Sequence, residues 1–359
     1  PQHQPSALRE QKMKTDHILV IRFSAMGDVA MTVPVVCALA HQYPHVRITV
    51  LSRPFARPFY ENLAPNVGFM GADTKGEYHG IKGLNALYRR LTAKNFTAIA
   101  DLHNVLRSDY LRMRFNLDRY RVAHLDKHRP ERRQLTSANN KVLEPLPTAF
   151  ENYAQVFEKL GYPIDMSQTY PLMPTAASLR QLPAEIGEKK PFQQWIGIAP
   201  FAAHRGKAYP IEKMEQVVAT LIHNHPSCRI FLFGGGDKEK QLISGITERH
   251  ANCVNVPALL HGLTEELMLM SHLDVMVSMD SANMHMASLA GTTVVSVWGA
   301  THPYAGFLGW KQSMDNAVQL DMPCRPCSIF GNKKCLRGDH ACMMTLDPQL
   351  IINKVEANL

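Results

Sequence analysis

The sequence predicts an α/β protein built from two doubly wound, Rossmann-like halves that face a central cleft, and three observations predict it. Short apolar runs end in turns and alternate with helix-period segments, as buried parallel strands joined by helices require. That pattern lapses near the middle of the chain into a proline-rich stretch and then restarts. At 359 residues the chain also exceeds the size at which a single core keeps growing, so two domains are expected.

The first twelve residues, PQHQPSALREQK, are polar, and Met13 stands just before the first structured segment. Residues 1–13 read as a disordered extension or an expression remnant, with Met13 as the natural start. The first domain is expected over 14–165. HILVIRF (17–23) reads as a buried strand that ends in the turn SAMGD, and VAMTVPVVCALAHQYP as a helix closing at Pro44. VRITVLS (46–52) is a second strand, residues 77–94 a helix and FTAIADLH (96–103) a third strand. A basic helix and the short run YRVAHL follow. Residues 166–192, with Pro171, Pro174, Pro183 and Pro191, form the expected linker.

A second domain is expected over 193–345, carrying a cysteine-rich segment at 324–342. It begins with the strand WIGIAP (195–200) and the helix IEKMEQVVATLIHNH. RIFLFGGG (229–236) is a strand with a glycine turn, followed by the helix KEKQLISGITERH. LDVMVSMD (273–280), the helix ANMHMASLAG and the strand TTVVSVWG (292–299) complete the alternation. Residues 346–359 read as a C-terminal helix. No repeat of solenoid period is present, so the cleft between two halves is where a ligand is expected.

Composition narrows the function classes. A chain that is 45% hydrophobic and 19% charged has enough apolar content to fold, which excludes a disordered protein. No apolar run reaches the roughly 18–20 residues of a membrane span, and the polar start is not a secretory signal. A cytoplasmic location is therefore expected. The formal charge of +8 favours anionic partners, and the basic residues cluster between Arg107 and Arg133, offset only by Asp109, Asp118, Asp126 and Glu131.

Five motifs carry chemistry. In SAMGDV (24–29), Gly27 permits a tight strand-to-helix turn and Asp28 lies at the helix start, beyond the carboxyl end of a strand where α/β sheets bind ligands. A simple N-cap aspartate is the alternative reading. APFAAHRGKAYP (199–210) places His204, Arg205 and Lys207 before a helix, a set suited to a diphosphate. In MDSANMH (279–285), Asp280 ends a strand, Ser281 and Ala282 open a helix, and His285 follows one turn on. FGGGDKE (233–239) offers close backbone approach, with Glu239 positioned for ribose hydroxyls. Cys324, Cys327, Cys335 and Cys342 make a CxxC-x7-C-x6-C array, a candidate structural zinc site, with plain reduced thiols or a redox-labile pair as the alternatives.

Taken together, SAMGDVAMTVP, the lysine-bearing APFAAHRGKAYP and MDSANMHMASLAGTTVVSVWGAT resemble the ADP-heptose:lipopolysaccharide heptosyltransferase family, glycosyltransferase family 9. The resemblance covers nearly all of residues 14–359 and keeps the motifs in order. It implies the GT-B fold and an inverting transfer of heptose from ADP-heptose to a phosphorylated lipid A and core oligosaccharide acceptor. It implies Asp28 as general base, Lys207 on the donor phosphates, Asp280, Ser281, Ala282 and His285 in the donor site and Glu239 on the ribose. Arg107 and Ser108, in DLHNVLRS, match its acceptor-side segment. No catalytic metal is implied, and the location becomes the inner face of the bacterial inner membrane, held peripherally by its anionic surface. Tyr209 stands where the family often has tryptophan, and Ala282 where glycine is common; the cysteine-rich segment lies outside the pattern. Two rivals remain at this stage: a Rossmann-type NAD(P)-dependent or nucleotide-sugar-modifying enzyme, which lacks its GxGxxG turn here, and a basic, zinc-stabilised nucleic-acid-binding protein.

Overall fold

The computed structural model describes residues 15–173 and 179–359. The extension read over 1–13 and residues 174–178 of the proline-rich stretch lie outside them.

In the first half, strands β1 (His17–Ile21), β2 (Arg47–Ser52), β3 (Val67–Gly71), β4 (Ala98–Asp101) and β5 (Arg121–His124) form one sheet in the order β3-β2-β1-β4-β5. Every pairing is parallel. The helices between and after them are α1 (Met26–Gln42), the short α2 (Arg57–Tyr60), α3 (Gly80–Thr92), α4 (Leu106–Leu117), α5 (Arg129–Leu135) and α6 (Ala149–Lys159). All of β1 is buried, because helices cover both faces of the sheet.

The second half repeats the plan. Strands β6 (Trp195–Ala199), β7 (Arg229–Leu232), β8 (Cys253–Asn255), β9 (Val275–Met279), β10 (Val294–Trp298) and β11 (Ala317–Gln319) pair in parallel in the order β11-β10-β9-β6-β7-β8. Helices α7 (Ile211–Asn224), α8 (Gly236–Arg249), α9 (Val256–Leu259), α10 (Leu263–Met270), α11 (Ala282–Leu289), α12 (Ala341–Met344) and α13 (Pro348–Ala357) accompany them. Counted from β6, this is the strand order of dinucleotide-binding folds. In each sheet the order reverses beside the first strand, so crevices open at the carboxyl ends of β1 and β6.

Helix α1 joins the halves. Its residues from Val29 to Ala40 are all buried, which is what an apolar helix packed on every side requires. It packs on α6 and on α11 of the second half. One apolar cluster therefore runs from Ile18 and Val33 through to Met284, Trp195 and Trp298.

The expected strands and helices are present. The sequence reading omitted the strands β3, β8 and β11 and the helices α2, α5, α6, α9, α10 and α12. VGFMG, at the edge of the first sheet, is only partly buried and carries two glycines, so it lacks the apolar alternation that marks a strand.

Candidate active site

Asp28, Lys207, Glu239, Asp280, Ser281, Ala282 and His285 all line one cavity of about 670 Å³. It opens at the carboxyl ends of β1, β6, β7 and β9, where the strand order of each sheet reverses.

On the first-half side, Asp28 lies in the first turn of α1, but Ala25 occupies the N-cap, so Asp28 is not the cap that the alternative reading supposed. Its Oδ2 is 3.0 Å from a guanidinium nitrogen of Arg22. Arg22 is itself buried and fixed, donating through Nε to the Ser24 carbonyl (2.7 Å) and through Nη1 to the Leu102 carbonyl (2.9 Å). The pair holds the carboxylate by one oxygen at the edge of the cavity.

On the second-half side, Asp280 is buried; its Oδ2 accepts from Thr301 Oγ1 at 2.9 Å and lies 3.9 Å from Lys207 Nζ. Burial pushes the Asp280 carboxyl up, and the Lys207 ammonium and the Thr301 hydroxyl pull it back down. Ser281 takes the N-cap of α11 without a side-chain cap, so the first amides of that helix are left to a ligand. Glu239 Oε2 accepts from the Gly235 amide at 3.3 Å, closing the glycine turn.

His285 is buried between the two sides. Burial pushes its imidazole down to about 4, with the Asp28 carboxylate raising it and the Lys207 ammonium lowering it, so the ring is neutral near pH 7. Its Nδ1 is buried without a hydrogen-bond partner among the described residues. A Cβ on Gly27 would sit 3.1 Å from the His285 ring and 3.4 Å from the Ala282 Cα. Glycine at 27 is what lets the starts of α1 and α11 abut.

A second cavity of about 150 Å³ adjoins the first and shares Ala25, Asp28, Phe307 and Phe330 with it. Its cations outnumber its acids: Arg22, Lys127 and Arg132 line it against Asp28 and Asp126, along with Tyr153, Asn152 and His103. Burial drives His103 down to about 3, reinforced by Arg22, Lys127 and Arg107, so that ring is neutral. Burial first, and then Arg22, Arg129 and Arg132, lower the Lys127 ammonium. Arg132 of α5 lies over two aromatic rings of the second half, 5.4 Å from Phe307 and 5.8 Å from Phe330.

Arg107 and Ser108 line neither cavity. Ser108 is buried, and its hydroxyl is engaged with the Val105 amide and carbonyl at 3.0 Å each, capping α4. The basic side chains that line the second cavity are instead Lys127, Arg132 and Arg22. The first two were inside the basic cluster already noticed. Arg22 was hidden as the one charge in an apolar strand end, a signal in its own right.

The four cysteines do line one small cavity, about 20 Å³, yet among the described residues no group of three or more His, Cys, Asp or Glu side chains is placed to hold a metal ion. Arg325 organises the segment instead. Its buried guanidinium donates to the Gly299, Leu320 and Thr301 carbonyls and to Gln319 Oε1. The segment then sends Ile329, Phe330 and Asn332 into the wall of the large cavity. Gly331, at φ +75°, lies so close to Lys207 that a Cβ there would overlap the lysine stem. Tyr209, expected to modify donor contacts, is buried and donates to the Leu346 carbonyl at 2.7 Å, tying its loop to the stretch before α13.

Two doubly wound sheets that meet at a cleft, with a carboxylate on one lip and a lysine and uncapped helix start on the other, define a GT-B-type glycosyl-transfer site. Residues 84–334 match the family described as glycosyltransferase family 9 (heptosyltransferase), and the chain belongs to that family. It is 24% identical over 314 residues to the lipopolysaccharide core heptosyltransferase OpsX of Haemophilus influenzae, covering 84% of each chain. It is 25% identical over 311 residues to lipopolysaccharide heptosyltransferase 3 of Escherichia coli, covering 83% of this chain and 88% of that one. Among solved structures, a family 9 glycosyltransferase from Veillonella parvula superposes with a TM-score of 0.72 at 18% identity over 96% and 98% of the two chains. Heptosyltransferase WaaC of Escherichia coli with ADP does so at 0.67 and 16% identity over 96% and 100%. The GT-B architecture that the motifs implied is the one these structures share.

Proposed function

We propose that the protein transfers heptose from ADP-heptose to an anionic inner-core acceptor of lipopolysaccharide, with inversion and with Asp28 as the base. Asp28 takes the proton of an acceptor hydroxyl as that oxygen bonds to the anomeric carbon. The bond from this carbon to the diphosphate breaks on the opposite face, and ADP leaves. Lys207 and the opening amides of α11 counter the negative charge that grows on the diphosphate, an effect that is strong in a cleft shielded from water. These protein groups meet the electrostatic demand of the step without calling on a metal.

The observation that carries this reading is that Asp28 borders both cavities. One holds the phosphate-suited residues and the other holds cations for an acidic sugar. The names of the relatives point the same way, since both are lipopolysaccharide heptosyltransferases. WaaC has been solved with ADP and with ADP-2-deoxy-2-fluoro heptose, which supports the assignment of the donor. Asp28→Asn tests the base. Turnover is expected to fall by about 10²–10⁴-fold, the usual contribution of general-base help, while ADP affinity measured by calorimetry holds. Turnover close to wild type would remove Asp28 from that role.

A further inference from the structure

Helix α4 has the wrong face outward. Ser108, Leu111 and Phe115 turn into the core, yet Leu106, Met113 and Leu117 stand on the opposite, outward stripe together with half-buried Tyr110. Leu106 is 88% exposed and Leu117 71%. A single exposed leucine needs no explanation, but a stripe along one helix does. Tyr110 donates to Asn85 Oδ1 at 2.6 Å and Tyr88 donates to the Arg114 carbonyl at 3.3 Å, so α3 and α4 run side by side in the same direction. That register brings Ile81, 66% exposed on α3, level with Leu106.

The surroundings say what covers this face. Lys82, Arg89 and Arg119 are exposed nearby and Arg107 is half-buried, whereas the acids of α4 are engaged: Asp109 with Arg112, and Asp118 with the Tyr88 hydroxyl. Exposed Asp73 and Glu77 precede α3, but Lys75, Lys82, Arg89, Arg90 and Arg119 outnumber them, and apolar side chains among an excess of cations match the interface of an anionic bilayer. The stripe also begins at the acceptor cavity, since Val105, which precedes Leu106, is part of that cavity's lining.

We propose that the outward face of α4, with Ile81 beside it, docks on an anionic phospholipid surface and holds the second cavity at the level of lipid headgroups. The inference rests on the reading that the acceptor is lipid-linked: its sugar enters beside Asp28 while its acyl chains stay in the bilayer.

The test is co-sedimentation of the full chain with vesicles of phosphatidylglycerol and phosphatidylcholine, and of phosphatidylcholine alone. The wild type is expected to bind the first and largely ignore the second. Leu106→Ser/Leu117→Ser should bind the anionic vesicles at least about tenfold more weakly, since binding scales with the apolar area inserted. Both residues are exposed, so the variant should fold, and its transfer to a delipidated, water-soluble acceptor should match the wild type. Equal vesicle binding by the two proteins, or no binding by the wild type, overturns the dock. So does a wild-type dimer that the variant dissolves, because the face would then be covered by a second copy. Vesicle binding as expected, with no transfer to the soluble acceptor by either protein, would leave the dock standing and refute the acceptor reading instead.

Discussion

Arg132 shows how a residue with no motif comes to matter. Its guanidinium lies over Phe307 and Phe330, whose rings are themselves neighbours at 6.0 Å, reaches the cationic cavity and feels the Asp28 carboxylate. An anionic acceptor group there would gain charge-assisted hydrogen bonds, each worth about 1.5–3 kcal/mol. Arg132→Ala is therefore expected to lower kcat/KM for the acceptor by roughly 10–100-fold with ADP affinity unchanged. Arg132→Lys should recover only part, because an ammonium lacks the planar fork. Initial-rate kinetics with varied acceptor separates the cases; an unchanged acceptor KM in both variants would place the anion elsewhere. Asp28, Lys207 and Asp280 were legible in the sequence because strand-end turns gather chemistry at predictable points. Arg22, Lys127 and Arg132 come from three separate elements and converge only in space, so no spacing announced them.

Among the elements, the cysteine-rich segment holds more than its spacing told. Its four thiols line one small cavity, and a buried arginine between the first two supplies further cross-links, donating to three backbone carbonyls and a glutamine. Arg325→Met removes those donors and strands their acceptors, each at about 1–3 kcal/mol. The unfolding midpoint should drop clearly, and ADP affinity with it, because Gly331 and Phe330 lose their places beside Lys207 and Arg132. Thermal melts with and without ADP measure both effects; an unaltered midpoint would mean that the segment is held by something other than this guanidinium. Central strands such as HILVI and WIGIA were legible because burial on both faces makes them continuously apolar. The strands β3, β8 and β11 were not, because they are only partly buried, and the last two have three residues each.

At the scale of the whole molecule, the shared core makes acid sensitivity a property of the fold. Burial drives His285 and His302 down to about 4 and His103 to about 3, against an ordinary value of 6.5. As pH falls below about 6.5 the unfolded chain takes up protons that the native rings refuse, so stability is lost progressively towards about pH 4. Buried Asp280, pushed the other way, offsets a little of this at the acid end. The thermal midpoint should decline through that window, and His302→Asn should make the decline shallower. A midpoint that is flat between about pH 6.5 and 4.5 would contradict it. The placement of Arg132 has a further consequence, one of linkage. The guanidinium belongs to the first half, the aromatic pair beneath it to the second, and both phenylalanines border both cavities. Filling either cavity is expected to act on this same contact, which would make the two affinities interdependent. Whatever factor ADP imposes on acceptor binding, the acceptor must impose on ADP, within a range of about 5–150-fold for typical coupled sites. Calorimetric titration of an acceptor analogue with and without ADP, repeated in the reverse order, should give one common factor greater than unity; a factor of one in both orders would mean that the contact transmits nothing.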